Sequence, residues 1–169
     1  MVAAPVPSPA FAKPHVLVIE DDLPILRLFG RSLEHAGFRV TSREAPDLEP
    51  PEIAVLAPDA LVLDLLFDPR CRGFSAADLG GPFLERLKED PATAAIPVGL
   101  CSADVPRLRR LGERMAGCGV STLAKPCRPA ELIDAVRLML DRLGPALPTR
   151  CTPLTPSWQD VALHGAGAA

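Results

Sequence analysis

The sequence predicts an α/β domain in which helices cover both faces of a parallel sheet. Short, strongly apolar runs that suit strands alternate along the chain with segments whose apolar residues recur at helical spacing. Proline or glycine stands near most of the junctions between these segments. Because strands that are apolar throughout need cover on both faces, this alternation favours a parallel sheet with helices on either side.

The first half of the predicted domain holds three strands and two helices. The run HVLVIE is rich in β-branched residues and suits a buried strand. The helix after it ends at Gly37, and its apolar face is made of Ile25, Phe29, Leu33 and Ala36. The predicted bounds are 15–20, 38–42 and 60–64 for the strands, and 23–36 and 51–57 for the helices.

The second half holds two strands and three helices. Pro91 ends the first of these helices, and Pro106 and Pro129 lie in the first turns of the other two. Proline is tolerated there because the first N–H groups of a helix have no partner within it. The predicted bounds are 96–101 and 120–124 for the strands, and 81–90, 106–116 and 129–143 for the helices, with Gly144 as the final stop.

Proline also marks the ends of the folded unit. Eight of the 20 prolines lie outside residues 15–144, in flanks with few charged side chains. Such segments favour extended chain over packed structure. We therefore expect a flexible N-terminal tail over residues 1–14, a domain over 15–144, and a proline-rich tail over 145–169 with no output domain.

Composition narrows the classes of function. The net charge of −3 gives no electrostatic case for binding nucleic acid, which calls for a basic stripe. No apolar run approaches the roughly 18 residues that cross a bilayer, and the first residues lack the pattern of a signal peptide. We expect a cytoplasmic protein with neither membrane nor nucleic acid as a partner. The five cysteines form no C-x-x-C pair and are odd in number, which indicates neither a zinc site nor a disulfide framework.

Polar side chains follow four of the five predicted strands. Glu20 and Asp21 stand at the end of the first strand, Asp64 ends the third, Ser102 follows the fourth and Lys125 follows the fifth. In open parallel sheets, ligands bind beyond the carboxyl ends of the strands, so these side chains should meet at one edge.

This set of groups is chemically coherent. Carboxylates that lie close together repel and need a proton, a cation or a lysine to neutralise them. Oxygen ligands of this kind suit Mg²⁺. A carboxylate can also attack a phosphoryl group to form an aspartyl phosphate, while a metal and a lysine offset charge on the transferring oxygens.

Over residues 15–144 the chain resembles the receiver domain of two-component response regulators. The resemblance is carried by the segments HVLVIEDD, AGFRV, PDALVLD, DPATAAIPVGLCSA and LAKPCRPAELIDAV. It implies a flavodoxin-like, doubly wound sheet with strand order 2-1-3-4-5, in a stand-alone regulator of the single-domain type.

The resemblance also implies a metal site that holds Mg²⁺. Asp64 would be the phospho-acceptor and a ligand of the metal. Glu20 and Asp21 would be the acidic pair, with Asp21 as the direct ligand. Leu66 would lend its backbone carbonyl to the same ion.

On the phosphate side, Ser102 would take the hydroxyl position and Lys125 the position of the phosphate-contacting lysine. The Lys125–Pro126 peptide bond would be cis, as in the family. The phosphoryl donor would be a sensor histidine kinase or a histidine phosphotransfer protein, as in bacterial phosphorelays. The chain would catalyse its own phosphorylation and a slow autodephosphorylation, so it would not be a conventional enzyme. A downstream protein, or a second copy of the chain, would receive the signal.

The chain departs from the family pattern in three places. Thr122 stands where an aromatic switch residue is usual, and Cys127 follows the Lys-Pro pair, where phenylalanine is common. The segment 67–80 is longer than the family's loop and could gate the site or be a plain surface insertion. In the C-terminal tail, Trp158 could dock on a groove or stay mobile.

Two other functions compete with this interpretation. A receiver-like scaffold that dimerises without phosphorylation is the main alternative, favoured by Thr122 and the short second helix. A turnover phosphatase would need a second aspartate two residues after the nucleophile, where this chain has Leu66.

Overall fold

A computed structural model of the chain describes residues 13–67 and 79–141. Strands and helices alternate along this part of the chain in the predicted order. The elements are β1 (His15–Ile19), α1 (Leu23–His35), β2 (Arg39–Arg43), α2 (Pro50–Leu56), β3 (Ala60–Asp64), α3 (Gly80–Glu89), β4 (Val98–Ser102), α4 (Val105–Arg114), β5 (Val120–Ala124) and α5 (Pro129–Asp141).

The five strands form one parallel sheet in the order β2-β1-β3-β4-β5, which confirms the predicted fold class. Every residue of β1, β3 and β4 is buried, whereas the edge strands β2 and β5 are partly exposed. The most apolar runs of the sequence therefore occupy the centre of the sheet, and the residues that follow them lie together at its carboxyl edge.

Helices cover the two faces of the sheet with separate apolar clusters. One face packs against α1 and α5 through Phe29, Leu33 and Val136. The other packs against α2, α3 and α4 through residues such as Ile53 and Leu84. Cover on both faces is what the apolar central strands require.

The buried face of α1 differs from the predicted one. Phe29 and Leu33 are buried as expected, but Leu26 and Gly30 complete the face, while Ile25 is only partly buried. Asp22 caps the helix, its carboxylate accepting a hydrogen bond from the N–H of Ile25 at 3.1 Å. This cap fixes where the helix begins and therefore how far the chain turns after β1.

Several expectations lie outside the described residues. These are the two tails apart from residues 13 and 14, the C-terminal end of the last helix, Trp158, and residues 68–78 of the long segment. Among the described residues, no helix combines the length and the apolar character that crossing a bilayer requires. The sequence pattern indicated no disulfide framework, but Cys118 is disulfide-bonded.

Lys88 joins α3 to the turn before β4. Its side chain is fully buried, and its Nζ donates hydrogen bonds to the carbonyl oxygens of Ala94 at 3.1 Å and Ile96 at 2.5 Å. Burial lowers the pKa of Lys88 to about 8. The folded protein therefore releases this proton at a lower pH than the unfolded chain does.

We predict that Lys88 makes the free energy of unfolding rise with pH. Between pH 8 and 10 the unfolded chain still holds the lysine proton, so stability should increase by at most about 1.4 kcal/mol per pH unit. Urea denaturation of the wild type and of Lys88→Met across this range measures the effect. The free energy of unfolding of the wild type minus that of Lys88→Met should increase with pH. If this difference stays constant, the assignment is wrong.

Candidate functional site

Three carboxylates meet at the carboxyl edge of the sheet. Asp64 is the last residue of β3, and Glu20 and Asp21 follow β1, the adjacent strand. One carboxylate oxygen from each lies within 4.8 Å of the others. The structure thus brings together the three acidic residues that the sequence analysis assigned to this edge, in an arrangement that could hold a metal ion.

The ammonium group of Lys125 lies between two of these carboxylates. Its Nζ is 2.5 Å from Glu20 Oε2 and 3.2 Å from Asp64 Oδ2. Lys125 comes directly after β5, and its N–H donates to the carbonyl of Ser102 at 2.9 Å. The pairing of β5 with β4 therefore fixes where the lysine side chain begins. The Lys125–Pro126 peptide bond is cis, as the resemblance implies.

Burial governs the charges of this cluster. Loss of hydration raises the pKa of Glu20 to about 7, and the charge of Asp64 adds to the rise while Lys125 opposes it. Burial likewise raises the pKa of Asp64, against the opposing effect of Lys125. For Lys125, burial lowers the pKa, but contact with Glu20 and Asp64 outweighs it and the pKa is raised. This environment therefore disfavours the charged form of the two carboxylates and favours the charged form of Lys125.

Backbone groups orient the Asp64 carboxylate. The N–H of Leu65 donates to Asp64 Oδ1 at 2.8 Å, and the N–H of Leu66 also donates to this carboxylate. The other oxygen, Oδ2, is the one that contacts Lys125. The two oxygens thus have different partners, which fixes the rotation of the carboxylate. Leu66 lies beside the cluster, and a metal-binding role for its carbonyl stays a prediction.

Ser102 ends β4 and is fully buried. Its Oγ accepts a hydrogen bond from the N–H of Asp104 at 3.2 Å. Asp104 in turn caps α4 by accepting from the N–H of Arg107. The hydroxyl accordingly helps to shape the turn into α4, and it keeps its own proton to donate.

Curated proteins of known name are similar to about three quarters of this chain. No family model matches the chain. A curated relative, the phosphate regulon transcriptional regulatory protein PhoB of Pseudomonas aeruginosa, is 27% identical over 130 residues, which cover 77% of this chain and 53% of PhoB. Protein RcaC of Microchaete diplosiphon is 29% identical over 128 residues, or 76% of this chain and 18% of RcaC. The chain spans about half the length of the PhoB relatives that it matches, and it spans 18% of the length of RcaC.

Solved structures agree with the sequence matches. A response regulator from Chloroflexus aurantiacus is 25% identical with a TM-score of 0.63, over 77% of this chain and 99% of that one. The described part of this chain has the fold of a response-regulator receiver domain, and we call it the receiver domain. A sensor protein from Polaromonas is also 25% identical with a TM-score of 0.63, over 78% of this chain and 98% of that one. The match therefore covers almost the whole length of both solved chains.

Thr122, which stands at the position where the resemblance led us to expect an aromatic residue, lies close to α4 on one side. Thr122 lies exposed on β5, and α4 passes close to it. A Cβ atom added to Gly112 of α4 would lie only 2.8 Å from Thr122 Cγ2. Helix α4 thus approaches β5 through its glycine, and the short threonine side chain fits that approach.

Sequence reasoning missed one residue that shapes the receiver site. Gly80 begins α3, and a Cβ added there would lie 2.3 Å from the carbonyl oxygen of Asp64 and 2.6 Å from Leu65 Cα. Its N–H also donates to the carbonyl of Leu65 at 3.3 Å. The first turn of α3 therefore packs directly on the backbone that carries Asp64. The Gly-Gly pair at 80–81 was the only sequence signal for it.

We predict that Gly80→Ala destabilises the receiver domain by about 1–3 kcal/mol, since the added methyl group meets backbone that cannot rotate away. Gly30→Ala in α1 is the matched control, because its Cβ would meet only Ser42 Oγ, at 3.4 Å. That variant should gain about 0.5–1 kcal/mol from helix propensity. Urea denaturation measures both changes. Equal stabilities for the two variants would show that α3 does not press on Asp64.

Proposed function

We propose that this receiver domain accepts a phosphoryl group from a phosphohistidine on Asp64 and thereby switches its contacts with a protein partner. The observation that carries the proposal is the position of Lys125, whose Nζ contacts the Asp64 carboxylate and also one of the two acidic residues beside it. PhoB is named as a transcriptional regulatory protein, and the C. aurantiacus neighbour is named as a response regulator. A sensor histidine kinase or histidine phosphotransfer protein is the donor class that fits.

The residues around Asp64 fit the attack of one particular oxygen. Asp64 Oδ1 accepts from the N–H of Leu65, which leaves Oδ2 as the oxygen that faces Lys125. As an O–P bond forms to Oδ2, the N–P bond of the phosphohistidine breaks and the pair of electrons returns to the imidazole. Lys125 lies close enough to offset the charge on the transferred phosphoryl oxygens, and Ser102 can donate its hydroxyl proton to one of them.

The carboxylates of Asp21, Asp64 and Glu20 fit a hard divalent cation, and we propose Mg²⁺, with the Leu66 carbonyl as a further ligand. Magnesium typically takes one or two carboxylates together with waters and phosphate oxygens. When bound, the ion would supply positive charge next to the phosphoryl oxygens. Asp21 is partly exposed, whereas Glu20 and Asp64 are buried, so Asp21 lies on the solvent side from which a hydrated ion would enter.

The competing function, a scaffold that works without phosphorylation, is supported by Thr122 and by the seven-residue α2. A scaffold has no need for a partly buried lysine between two buried carboxylates, because removing these charges from water costs free energy. The intact cluster and the similarity to a solved response regulator therefore favour the phosphorylated switch.

We predict that acetyl phosphate with Mg²⁺ adds one phosphoryl group to the wild-type chain and none to Asp64→Asn. The amide cannot act as the nucleophile, so labelling should be lost completely. Intact-protein mass spectrometry measures the product. Asp134→Asn, which changes an exposed aspartate of α5, is the matched control and should be labelled like the wild type. Labelling of Asp64→Asn, or none in the wild type, would overturn the proposed function.

We predict that Mg²⁺ binds more tightly as the pH rises from 6 to 8. Glu20 has a pKa of about 7, so its proton must leave before the carboxylate can assist a cation, and affinity should increase by at most about tenfold per pH unit. Isothermal titration calorimetry measures the affinity at each pH. Glu20→Gln has no proton to lose and should bind with a flatter pH dependence; an unchanged slope would remove Glu20 from the metal site.

A further inference from the structure

Two free thiols pack in one apolar cluster next to the proposed site of phosphorylation. Cys101 is in β4 and is 1% exposed, whereas Cys127 follows the Lys125–Pro126 pair and is half-buried. Both belong to the apolar cluster that α1 and α5 form with the sheet. The two thiols are near enough that each affects the pKa of the other. Two neighbouring thiols can form a disulfide, whereas an isolated buried cysteine cannot.

The pair adjoins the groups that the proposed function uses. Cys101 directly precedes Ser102, and Cys127 is two residues after Lys125. The charges of Lys125 and Asp64 both act on the Cys101 thiol. A covalent bond between the two sulfurs would therefore join the end of β4, which carries the hydroxyl, to the segment after β5, which carries the lysine.

We propose that Cys101 and Cys127 close into a disulfide when the protein meets a hydroperoxide, and that this bond changes the geometry of the site around Asp64. The first half of the proposal concerns the thiols alone. The second half rests on the proposed function, because it requires that Asp64 accept a phosphoryl group. A regulator with such a pair would respond to oxidation as well as to its kinase.

The chemistry balances with a peroxide as the oxidant. The Cys127 sulfur, the less buried of the two, attacks one oxygen of hydrogen peroxide, the O–O bond breaks, and water leaves with the thiol proton; an alkyl hydroperoxide would release its alcohol instead. The resulting sulfenic acid is attacked by the Cys101 sulfur, the S–O bond breaks, and a second water leaves. Two thiols are oxidised to one disulfide, and one hydroperoxide is reduced by two electrons.

Burial makes this pair slow to react. It raises the pKa of both thiols, and for Cys101 the neighbouring Cys127 adds to the rise. Little thiolate is present at neutral pH, so oxidation should be slower than for an exposed cysteine. Once Cys127 is oxidised, however, its neighbour is already nearby, and closure of the disulfide should outrun further oxidation of the sulfenic acid.

The test of the disulfide uses the full chain treated with hydrogen peroxide. Trypsin does not cut before proline, so Cys118 and Cys127 stay in one peptide, and tandem mass spectrometry must assign the linked sulfur. We expect a Cys101–Cys127 link in the wild type that dithiothreitol removes, and none in Cys127→Ser. Cys101→Ala is a second variant and should leave Cys127 as a sulfenic acid that dimedone traps. If both cysteines remain reduced or oxidise separately, the proposal is wrong.

A second measurement separates this proposal from the proposed function. Reduced and oxidised wild-type protein are each given acetyl phosphate and Mg²⁺. We expect the oxidised form to be labelled about tenfold more slowly or worse, since a shift of about 1 Å in catalytic groups can cost a hundredfold. Cys127→Ser should be labelled equally before and after peroxide. Equal rates for the two wild-type forms would refute the coupling, whereas no labelling of the reduced form would refute the proposed function alone.

Discussion

The structure of the site depends on one ion pair, that of Lys125 with the buried carboxylates of Glu20 and Asp64. Two buried carboxylates in close proximity would otherwise repel, and burial would drive protons onto them. The charge of Lys125 opposes this rise in the pKa of Asp64. The main chain of Lys125 is held in place by β5, which it directly follows, and by its N–H, which donates a hydrogen bond to the carbonyl of Ser102.

The sheet is what allows residues from distant parts of the sequence to form this ion pair. The central strands are buried on both faces, so their register is fixed by apolar contacts above and below. Their ends are therefore held in place as well. The polar residues at these ends, such as Asp64, and those just beyond them, such as Glu20, are therefore positioned precisely. The buried strands stabilise the domain, and the polar groups at the carboxyl edge of the sheet form the candidate site.

The sequence was sufficient to predict the sheet and the acidic cluster, because both follow from patterns along the chain. Parallel strands end on the same side, so Asp64 and Asp21 had to meet once the strands were recognised. Lys88 was not predicted, since within a run of charged residues it resembles a surface lysine, and only the carbonyl oxygens of Ala94 and Ile96 account for its burial. Gly80 escaped notice for a similar reason, because its importance is a distance to Asp64 that no local pattern encodes.

The close approach of Gly80 to the backbone of Asp64 has a mechanical consequence. Side chains that separate two elements can change rotamer and absorb a small displacement, but two backbones in direct contact have no such freedom. A shift of the main chain at Asp64 must therefore carry the first turn of α3 along with it. Rigid transmission of this kind requires no ring to reorient, so it is open to a receiver domain that has threonine at position 122.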